Sequence, residues 1–502
     1  MKLCDFPEIY RSRWSSEYEQ DRFIVENPSD GRRITTVQGG GAVEIDQAVR
    51  AADAAFHSEW RWRAPRERGA ILSQCASLLR DHADELARIE TMEVGKPLLQ
   101  ARPFDIEFLI WSFDYFGSVA DKLPSSYLDA GPVDVAVRLE PYGVVGGIIP
   151  FNWPPIHTGA KVAPALAVGN TVVLKPGEQA PLVVMRIVEL LNRILPKDVL
   201  HVVPGHGPTA GSALAAHPLV RKISFTGSTA TGIAVLKTAA DNITPALLEL
   251  GGKNPFIVFD DADLDRAVAG ALDGAYFNQG EACTAASRLI VQRGIHDRFV
   301  ERLAAGVRRL RVGDGMLPST HVGPLVTRSH QCKVLDLIAI GIEEGGRVAA
   351  QAPLPDDPAL AGGFYAPPTL FTGVDETMRI ANEEIFGPVA AVIPFHDFDD
   401  ALRIANRSEY GLVAGIYSRD IEKAQRMARR VDAGIVFVNN YYRAFMGTPF
   451  GGTKASGYGR EHSIDTLREF GHFKAIRTPS GEGEVPCWRA VDEIYGDRMP
   501  SA

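Results

Sequence analysis

The chain has 502 residues, of which 45% are hydrophobic and 23% charged, and its formal net charge at pH 7 is −9. This composition is typical of a globular protein and excludes the disordered, collagen-like and coiled-coil classes. At about 150 residues per domain, the length predicts roughly three domains. The acidic balance argues against a nucleic-acid surface, which needs a basic face, but permits a nucleotide ligand held by backbone amides.

We expect no membrane span, no metal site and no disulfide framework. No apolar stretch approaches the roughly 18 residues of a membrane span, and the N-terminus shows no apolar signal segment. The acidic run 260–265 resembles a calcium loop, but Arg266 stands where that loop needs Gly, so we expect it to cap the following helix. The cysteines are odd in number, widely spaced and form no CxxC pair, so no zinc site or disulfide framework is predicted and a reducing cytoplasm is expected. They are Cys4, Cys75, Cys283, Cys332 and Cys487.

The first hundred residues are predicted to be helical. Apolar residues recur there at spacings of three and four, with charges between them, over 51–80 and 83–93. From Tyr142 onward the pattern changes to short β-branched runs, each followed by Gly or Pro and then by a helix-like segment. These predicted strands span 143–149, 171–175, 222–225, 256–259, 289–292, 390–394 and 434–438.

Continuous apolar strands that alternate with helices predict an α/β fold, in which helices cover both faces of parallel sheets. The predicted strands form two successive sets, so we expect two lobes with a crevice between them and ligands at the carboxyl ends of the strands. Two further stretches, 132–140 and 472–479, alternate like exposed strands. Either they pair with another subunit or they form a plain surface hairpin.

Cys283 is the cysteine whose surroundings suggest chemistry. It lies in 276–288, a polar stretch rich in small residues between a helix-like and a strand-like segment. A reactive thiol needs access, together with amide donors or a helix end that favour the thiolate. Cys75 and Cys332 instead fall on helical patterns, where a cysteine is ordinarily a small buried apolar residue.

Glu249 ends an apolar run and is followed by Gly251, Gly252 and Lys253. An isolated buried carboxylate is costly, so its position calls for a reason. Two interpretations stay open: an ion pair with Lys253, or a general base whose pKa is raised by burial.

A glycine-containing turn, 227–232, follows the predicted strand 222–225 and opens a helical segment, so its amides face outward at a helix N-terminus. It lacks the Lys of a GxxxxGK[ST] loop, and the chain has no GxGxxG, so this turn is only a moderate dinucleotide signal. Lys175 and Glu178 follow another strand. They either form an ion pair or bind a ribose diol.

Taken together, these segments closely resemble the aldehyde dehydrogenase superfamily, from Asn27 to about Arg477. Segments 248–255 and 276–287 resemble its glutamate and cysteine signatures. Further matching segments, in the expected order, are 150–154, 175–178, 383–388 and 449–461. The resemblance implies two Rossmann-like lobes and a small β element. These are an NAD-binding domain of residues 1–123 and 142–251, a catalytic domain of residues 252–455, and oligomerisation strands within 124–141 and 470–490.

The same resemblance implies oxidation of an aldehyde to a carboxylic acid through a cysteine adduct. Cys283 would attack the aldehyde carbon, and the Asn152 amide with the Cys283 N–H would hold the oxygen of the thiohemiacetal. Glu249 would then activate water to hydrolyse the thioester. Glu461 would relay a proton to Glu249, and Lys161 would lie near the site. Glu249 favours hydrolysis over transfer to CoA, the alternative for acylating relatives.

NAD is the cofactor that the resemblance implies. Lys175 and Glu178 would bind the adenosine ribose, because a carboxylate accepts ribose hydroxyls but repels a 2′-phosphate. NAD is therefore favoured over NADP. The other expected cofactor residues are Gly227 and Ser228 near the pyrophosphate, Glu384 and Phe386 at the nicotinamide ribose, and Gly207, Ile148 and Phe151.

The expected substrate tunnel departs from the more usual family pattern, in which Trp immediately precedes the catalytic Asn. Here Phe151 precedes Asn152 and Trp153 follows it. The aromatic tunnel either recognises an apolar or aromatic aldehyde or only excludes water. Arg443 is the basis of an alternative, an acidic semialdehyde. The tunnel is expected to be lined by Trp153, His157, Phe277, Phe450 and the stretch 441–445, which includes Tyr442. A homodimer or homotetramer is also expected.

Overall fold

The structure is a computed structural model and describes residues 6–443, 445–485, 490 and 493–494. Cys4, Cys487 and part of the predicted segment 470–490 lie outside the described residues. The strands are β1 Ile9–Arg11, β2 Arg22–Glu26, β3 Arg33–Gln38, β4 Ser125–Asp129, β5 Val133–Pro141, β6 Val144–Ile148, β7 Thr171–Lys175, β8 Leu200–Val202, β9 Val220–Thr226, β10 Ala246–Glu249, β11 Pro255–Val258, β12 Arg288–Gln292, β13 Arg347–Gln351, β14 Thr369–Thr372, β15 Val389–Phe395, β16 Tyr410–Gly411, β17 Val413–Tyr417, β18 Ile435–Val438, β19 Thr453–Lys454, β20 Gly457–Tyr458 and β21 Gly471–Pro479.

The α-helices occupy both the N-terminal region and the connections between strands. They are α1 Ala42–His57, α2 Pro65–Asp81, α3 Ala83–Val94, α4 Leu98–Gln100, α5 Glu107–Val119, α6 Pro154–Val168, α7 Leu182–Leu191, α8 Ser212–Ala216, α9 Thr229–Ala240, α10 Leu264–Tyr276, α11 His296–Val307, α12 Arg328–Glu343, α13 Arg379–Asn382, α14 Phe398–Asn406, α15 Ile421–Ala428 and α16 Thr466–Glu469. Short 3-10 turns span Glu19–Asp21, Trp60–Trp62, Phe277–Gly280 and Pro358–Leu360, and wider π-type turns span Ala101–Ile106 and Gly207–Gly211.

Two largely parallel sheets form the centre of the fold. The first has the order β20-β10-β9-β6-β7-β8, with β20 antiparallel to its neighbour. The second has the order β13-β14-β15-β12-β11-β17-β18, with β13 antiparallel. Strands β6, β7 and β11 are buried along their whole length because apolar cores lie on both faces of each sheet. The predicted α/β fold with two parallel-sheet lobes is confirmed.

The expectation that the first hundred residues are helical is wrong for residues 9–38. Strands β1, β2 and β3 form a small sheet there. Their short β-branched runs favour pairing as strands over forming a helix. The predicted helix 51–80 is also interrupted, because α1 ends at His57 and α2 begins at Pro65. The ring and missing N–H of proline suit the first turn of a helix and not its interior.

The exposed strands pair with each other. Strand β21 runs antiparallel to β5, and β4 flanks β5 on the other side, so the two stretches without a predicted partner form one three-stranded sheet. All residues of β21 after Gly471 are exposed. Whether this sheet joins subunits stays a prediction, as does the division of the chain into domains.

Two local predictions have opposite outcomes. The acidic run does cap a helix, since the Asp263 carboxylate accepts from the Arg266 backbone N–H at 3.1 Å at the start of α10. Cys75 is buried in α2 as expected, but the expectation is wrong for Cys332, which is exposed on α12. A helical apolar pattern marks a face only loosely, and Cys332 falls beside it rather than on it.

Candidate active site

Several predicted site residues lie where parallel strands of the first sheet end. Glu249 is the last residue of β10 and Lys175 the last of β7, while Asn152 lies between β6 and α6. Because carboxyl ends of parallel strands meet at one edge of a sheet, these residues come together there. Cys283 reaches the same place from the loop between α10 and β12.

The loop that carries Cys283 has an unusual backbone. Asn278, Gln279 and Gly280 all have positive φ angles, of 52°, 54° and 69°. Non-glycine residues rarely adopt this conformation, and such residues cluster at functional sites. A Cβ at Gly280 would lie 2.2 Å from the Gly387 carbonyl oxygen, so only glycine permits the close approach of these two loops. The cysteine loop is therefore held tightly against the segment that contains Glu384 and Phe386.

The environment of the Cys283 thiol disfavours its thiolate form. Burial raises its pKa above the usual range, the charges of Glu384 and Glu249 raise it further, and backbone N–H groups offset only part of the effect. Amide donors alone therefore do not generate the thiolate. A base must take the proton when the thiol reacts.

Glu249 is buried, with 3% of its surface exposed, and neither carboxylate oxygen has a hydrogen-bond partner among the described residues. Burial raises its pKa well above the usual range, the charge of Glu461 adds to this, and Lys161 opposes it. The alternative ion pair with Lys253 is absent among the described contacts, because the Lys253 amine is likewise without a hydrogen-bond partner. Glu249 is thus available as a base.

Lys161 and Glu461 form a buried ion pair. The Lys161 Nζ donates to Glu461 Oε1 at 2.9 Å and to the Thr226 hydroxyl at 2.8 Å. Paired backbone hydrogen bonds with Phe450 fix the position of Glu461. The charge of Glu461 acts on Glu249, so the predicted relay acid lies close to the predicted base.

Asn152 is held at both ends of its side chain. Its Nδ2 donates to the Glu281 carbonyl oxygen at 3.1 Å, and its Oδ1 lies 3.4 Å from His157 Nε2. A side-chain amide has two N–H groups, so this arrangement leaves one to donate to an oxyanion. The Asn278 Nδ2 donates to the same Glu281 oxygen at 2.9 Å and to the Asn152 carbonyl oxygen at 3.1 Å. Asn278 therefore joins the Asn152 loop to the cysteine loop.

Lys96 also supports Asn152, although sequence reasoning did not single it out. Its fully buried Nζ donates to the Asn152 carbonyl oxygen at 3.1 Å, to Glu90 at 3.0 Å and to Asp105. Burial, together with the charge of Asp105, raises the pKa of Glu90 well above its usual range. No motif or periodicity distinguishes Lys96, because its partners come from three separate segments.

Lys175 and Glu178 form an ion pair, which was one of the two interpretations of these residues, the other being the binding of a ribose diol. Lys175 Nζ lies 3.4 Å from Glu178 Oε2, and the Gly207 N–H donates to Glu178 Oε1 at 2.5 Å. Burial disfavours the charge of Glu178, but Lys175 and backbone N–H groups outweigh it and hold its pKa below the usual range. Since 28% of the Glu178 side chain stays exposed, the ionised carboxylate can still accept hydroxyl groups.

A cavity of about 230 Å³ lies beside the nucleophile and is lined by part of the expected cofactor residues, while Lys175, Glu178 and Gly207 are not among its lining residues. Its lining includes seven residues of the predicted site: Phe151, Asn152, Gly227, Ser228, Cys283, Glu384 and Phe386. Glu384 Oε1 accepts from the Gly252 N–H at 2.9 Å, and the rings of Phe151 and Phe386 meet edge to face at 5.9 Å. Ile148, the last residue of β6, is buried and is not among the lining residues. A polar and aromatic cleft of this kind fits the nicotinamide half of a dinucleotide.

His330 and Lys333 line the same cavity, although sequence reasoning did not include them. His330 Nε2 donates to the Phe386 carbonyl oxygen at 2.6 Å. Phe386 has a φ angle of 57°, so this hydrogen bond supports a strained residue at the cavity wall. The Ser228 hydroxyl caps α9 by accepting from the Thr231 N–H at 3.2 Å.

An aromatic wall of packed rings extends from the exposed Tyr442 to the buried Phe450. Phe104 is at its centre, with ring centroids 5.4 Å from Phe277, 5.9 Å from Trp153 and 6.5 Å from Tyr442. Tyr442 is 48% exposed, whereas Phe450 at the other end is 9% exposed. The members of this aromatic wall are Phe104, Phe108, Trp153, Phe277, Tyr442, Phe450 and His462.

The inner end of the aromatic wall adjoins the base. Phe450 precedes Gly451, where a Cβ would lie 2.7 Å from Glu249 Oε1. Trp153 packs in one small core with Ala282, the residue before Cys283. Phe104 and Phe108 were missed because aromatic residues four apart on a helix ordinarily indicate core packing.

Arg443 does not provide a free cation for an acidic substrate. Its guanidinium is buried, pairs with the Asp273 carboxylate at 2.8 Å and lies 4.4 Å from the Phe277 ring centroid. The role of Arg443 in steering an acidic substrate, considered from the sequence, is therefore wrong. The sequence alone could not show that Asp273 neutralises this guanidinium.

No metal cluster and no helix able to cross a membrane occurs in the described part of the chain. A larger cavity, about 730 Å³, lies near the N-terminal strands and is lined by Tyr10, Trp14 and His201 among others. It contains none of the predicted site residues, so size alone does not locate the site.

Comparisons with known proteins point to one family. The model of the "Aldehyde dehydrogenase family" matches residues 14–476. Aldehyde dehydrogenase citD of Monascus ruber is 51% identical over 488 residues, which is 97% of each chain. Betaine aldehyde dehydrogenase of Bacillus subtilis (strain 168) is 39% identical over 466 residues, 92% of this chain and 95% of its own. The structure of betaine aldehyde dehydrogenase from Staphylococcus aureus in complex with NAD⁺ matches with a TM-score of 0.90 at 36% identity, covering 93% of each chain.

Proposed function

The chain belongs to the aldehyde dehydrogenase family, and on that premise we propose that it oxidises an aldehyde to the carboxylic acid with NAD through a covalent bond to Cys283. One observation carries the proposal. Glu249 is a buried carboxylate without a hydrogen-bond partner, and it lies close enough to Cys283 for its charge to raise the pKa of the thiol. Such a pair supplies a nucleophile and, beside it, a base that can activate water at the thioester that the nucleophile forms.

The first half of the reaction forms the covalent adduct. As Cys283 attacks the aldehyde carbon, negative charge develops on the oxygen. The free N–H of Asn152 and the Cys283 backbone N–H are the donors we assign to that oxygen, and losing one such donor typically costs about 3 kcal/mol. Asn278 and Lys96 keep Asn152 in place through its carbonyl oxygen.

NAD, when bound, supplies the nicotinamide ring that accepts the hydride from the carbon held by Cys283. We assign its adenosine ribose to Lys175 and Glu178, and its nicotinamide ribose to Glu384. The NAD⁺ complex of the Staphylococcus aureus relative, and that of PnpE at 41% identity and a TM-score of 0.90, support this cofactor. Gly207, Gly227, Ser228, Phe386, Ile148 and Phe151 remain the other proposed cofactor residues, and Gly227, Ser228, Phe386 and Phe151 among them line the cavity of Cys283.

The second half of the reaction releases the acid. Glu249 takes a proton from a water molecule that attacks the thioester, and Glu461, paired with Lys161, serves as the proton relay of Glu249. Transfer of the acyl group to CoA is the alternative outcome. Glu249, which has no hydrogen-bond partner among the described residues, favours hydrolysis, because a base beside the thioester can take a proton from the attacking water molecule.

We propose that the substrate is an apolar or aromatic aldehyde. We assign the entry path to the aromatic wall, with Trp153, Phe277, Tyr442 and Phe450 and with His157 beside it, because its rings lie next to the Asn152 and Cys283 loops. A semialdehyde is disfavoured because Arg443 is already paired with Asp273. A subunit assembly through β5 and β21, as homodimer or homotetramer, and a reducing cytoplasm that keeps Cys283 free complete the proposal.

A panel of initial rates tests the function. Benzaldehyde, hexanal and succinic semialdehyde are each offered with NAD and with NADP, with and without CoA, and NADH or NADPH formation is followed. We expect kcat/KM for benzaldehyde with NAD to exceed that for succinic semialdehyde by about tenfold or more, with free acid as the product. Absence of reduced cofactor with every aldehyde contradicts the function. Preference for the semialdehyde, or acyl-CoA as product, contradicts the substrate or hydrolysis assignment.

Glu178→Gln is expected to reduce the preference for NAD. The amide keeps the shape and can still accept from Gly207, but it no longer repels a 2′-phosphate. The ratio of kcat/KM for NAD over NADP should fall at least about tenfold, since like charges placed together cost several kcal/mol. Glu343→Gln, an exposed change at the end of α12, is the control. An unchanged ratio, or a wild type that prefers NADP, refutes the role of Glu178.

A further inference from the structure

Side chains from other segments hold the backbone carbonyl groups of the cysteine loop. Asn254 Nδ2 donates to the Cys283 carbonyl oxygen at 2.8 Å and to the Ala285 carbonyl oxygen at 2.9 Å. The Tyr441 hydroxyl donates to the carbonyl oxygen between these two, that of Thr284, at 2.9 Å. Three consecutive carbonyl groups, beginning with that of the nucleophile, are therefore fixed from outside the loop.

The orientation of the Asn254 side-chain amide is determined by its partners. Its Oδ1 accepts from the N–H of Val413, the first residue of β17, at 3.1 Å, while its Nδ2 donates to the two carbonyl oxygens. Because a backbone N–H only donates and a carbonyl oxygen only accepts, the reversed amide would lose all three hydrogen bonds. Asn254 is 1% exposed, so the protein encloses this arrangement, which ties the cysteine loop to β17.

The segment that carries Asn254 approaches the cysteine loop closely because it contains Gly252. A Cβ at Gly252 would lie 2.4 Å from the Cys283 carbonyl oxygen and 2.9 Å from Asn254 Oδ1, so a larger residue there would displace the loop. The Gly252 N–H donates to Glu384 Oε1 at 2.9 Å. The short segment 252–254 therefore contacts both the backbone of the nucleophile and the carboxylate that we assign to the nicotinamide ribose.

The Cys283 carbonyl belongs to the same peptide group as the Thr284 N–H. A peptide group is planar and ordinarily trans, so its C=O and N–H point in opposite directions and turn together. The N–H groups of Cys283 and Thr284 are the backbone donors that lower the pKa of the thiol. A side chain that holds the Cys283 carbonyl oxygen thus also holds an N–H that acts on Sγ.

The other surroundings of Cys283 oppose the thiolate. Burial raises the pKa of the thiol most, and the negative charges of Glu384 and Glu249 raise it further. Tyr441 contributes no charge at neutral pH, because burial raises the pKa of its hydroxyl above the usual range. The backbone N–H groups act against these effects, so the stability of the thiolate depends on how they are oriented.

We propose that Asn254 is a positioning residue for the Cys283 thiolate: by holding the Cys283 carbonyl oxygen, it keeps the Thr284 N–H directed at Sγ. The proposal rests on the proposed function, because it concerns the nucleophile assigned there. Asn254 is not among the residues that line the cavity of Cys283, so it acts through the loop backbone and not on substrate or cofactor. Loss of its amide would leave two carbonyl oxygens without their donor and release the peptide group.

Titration of the thiolate tests the proposal. The ultraviolet absorbance of the thiolate is recorded against pH for wild type and Asn254→Leu, and the same titration of each protein with Cys283→Ala is subtracted. We expect the Asn254→Leu midpoint to lie about one pH unit above that of wild type, because a hydrogen bond to a charged group is lost. At a fixed pH below both midpoints, the thiolate fraction and the rate of alkylation by iodoacetamide should fall about tenfold.

Two further variants separate this effect from a loss of stability. Asn254→Ser keeps one donor and should shift the titration upward, but less than Asn254→Leu. Asn406→Leu removes an amide with similar contacts, since Asn406 donates to the Arg430 carbonyl oxygen at 2.9 Å and accepts from the Asp432 N–H at 2.8 Å. Neither Asn406 nor these partners line the cavity of Cys283, so this variant should lose thermal stability without a shift of the thiolate titration. If Asn254→Leu is too poorly folded to assay, Asn254→Ser and Asn406→Ser give the same comparison.

Turnover supplies a second readout. At a fixed pH, rapid mixing should show that the first turnover of NADH formation slows in Asn254→Leu by the same factor as alkylation, whereas calorimetry should show unchanged NAD binding. A folded Asn254→Leu that keeps the wild-type titration overturns the proposal, as does an equal shift in Asn406→Leu. A wild type that oxidises no aldehyde refutes the proposed function, whereas an unshifted titration in an active enzyme refutes only this inference.

Discussion

Cys283→Ala is expected to lower kcat by at least about 10⁴-fold for every aldehyde, since removal of a nucleophile leaves only binding and the oxyanion donors. No other described thiol can take over. Cys75 is enclosed in α2 and Cys332 is exposed on α12. The rate of NADH formation measures the loss, and calorimetry with NAD should show that the cofactor still binds.

Cys332→Ala is the matched control and should retain wild-type kcat, because the side chain is exposed on α12 and is not among the residues that line the cavity of Cys283. Mass spectrometry adds a direct readout, in which an acyl group is found on the peptide that contains Cys283 when turnover is slowed. Activity of Cys283→Ala within tenfold of wild type would show that the aldehyde is oxidised without this thiol.

Glu249→Gln is expected to separate the two halves of the reaction. The amide has nearly the same shape but cannot take a proton from water, so the thioester on Cys283 should accumulate. We expect a rapid burst of about one NADH per active site, followed by steady turnover that is about 10²- to 10⁴-fold slower than wild type. Rapid mixing with absorbance detection resolves the burst from the slow phase.

The pH profile gives an independent check on Glu249. The carboxylate must be ionised to act as a base, and burial with the charge of Glu461 raises its pKa above the usual range. Wild-type steady turnover should therefore decline as the pH falls through this raised value, well above the pKa of an exposed glutamate. The slow phase of Glu249→Gln should lose that dependence. Glu301→Gln on the exposed face of α11 should behave as wild type, and full steady turnover by Glu249→Gln excludes the base role.

The fold was predictable where local signals agree. Strand β7 has the predicted bounds because a fully buried β-branched run ends at Pro176, which cannot continue the ladder. The helical prediction for residues 9–38 failed because the strands there are short and gain stability only by pairing with one another. Where pairing decides the structure, a local period carries little information.

The site residues likewise divide into those that the sequence reveals and those that it does not. Cys283, Glu249 and Asn152 stand in recognisable segments, whereas Lys96 and Phe104 acquire their positions from contacts with distant parts of the chain. The failure at Arg443 has the same origin, since its partner Asp273 is 170 residues away in the chain. A sequence shows which chemical groups are present, but neutralisation and positioning depend on which groups meet after folding.

The pairing of Lys161 with Glu461 also has a consequence for the making of the protein. These two residues are 300 positions apart in the chain. At about 5–20 residues per second, a ribosome needs roughly 15–60 s to reach the glutamate after the lysine has been added. Between the addition of Cys283 and that of Phe450, the nascent polypeptide contains the thiol nucleophile and its base but not Phe450, Glu461 or His462. The reaction centre is thus finished only after these later residues have been added.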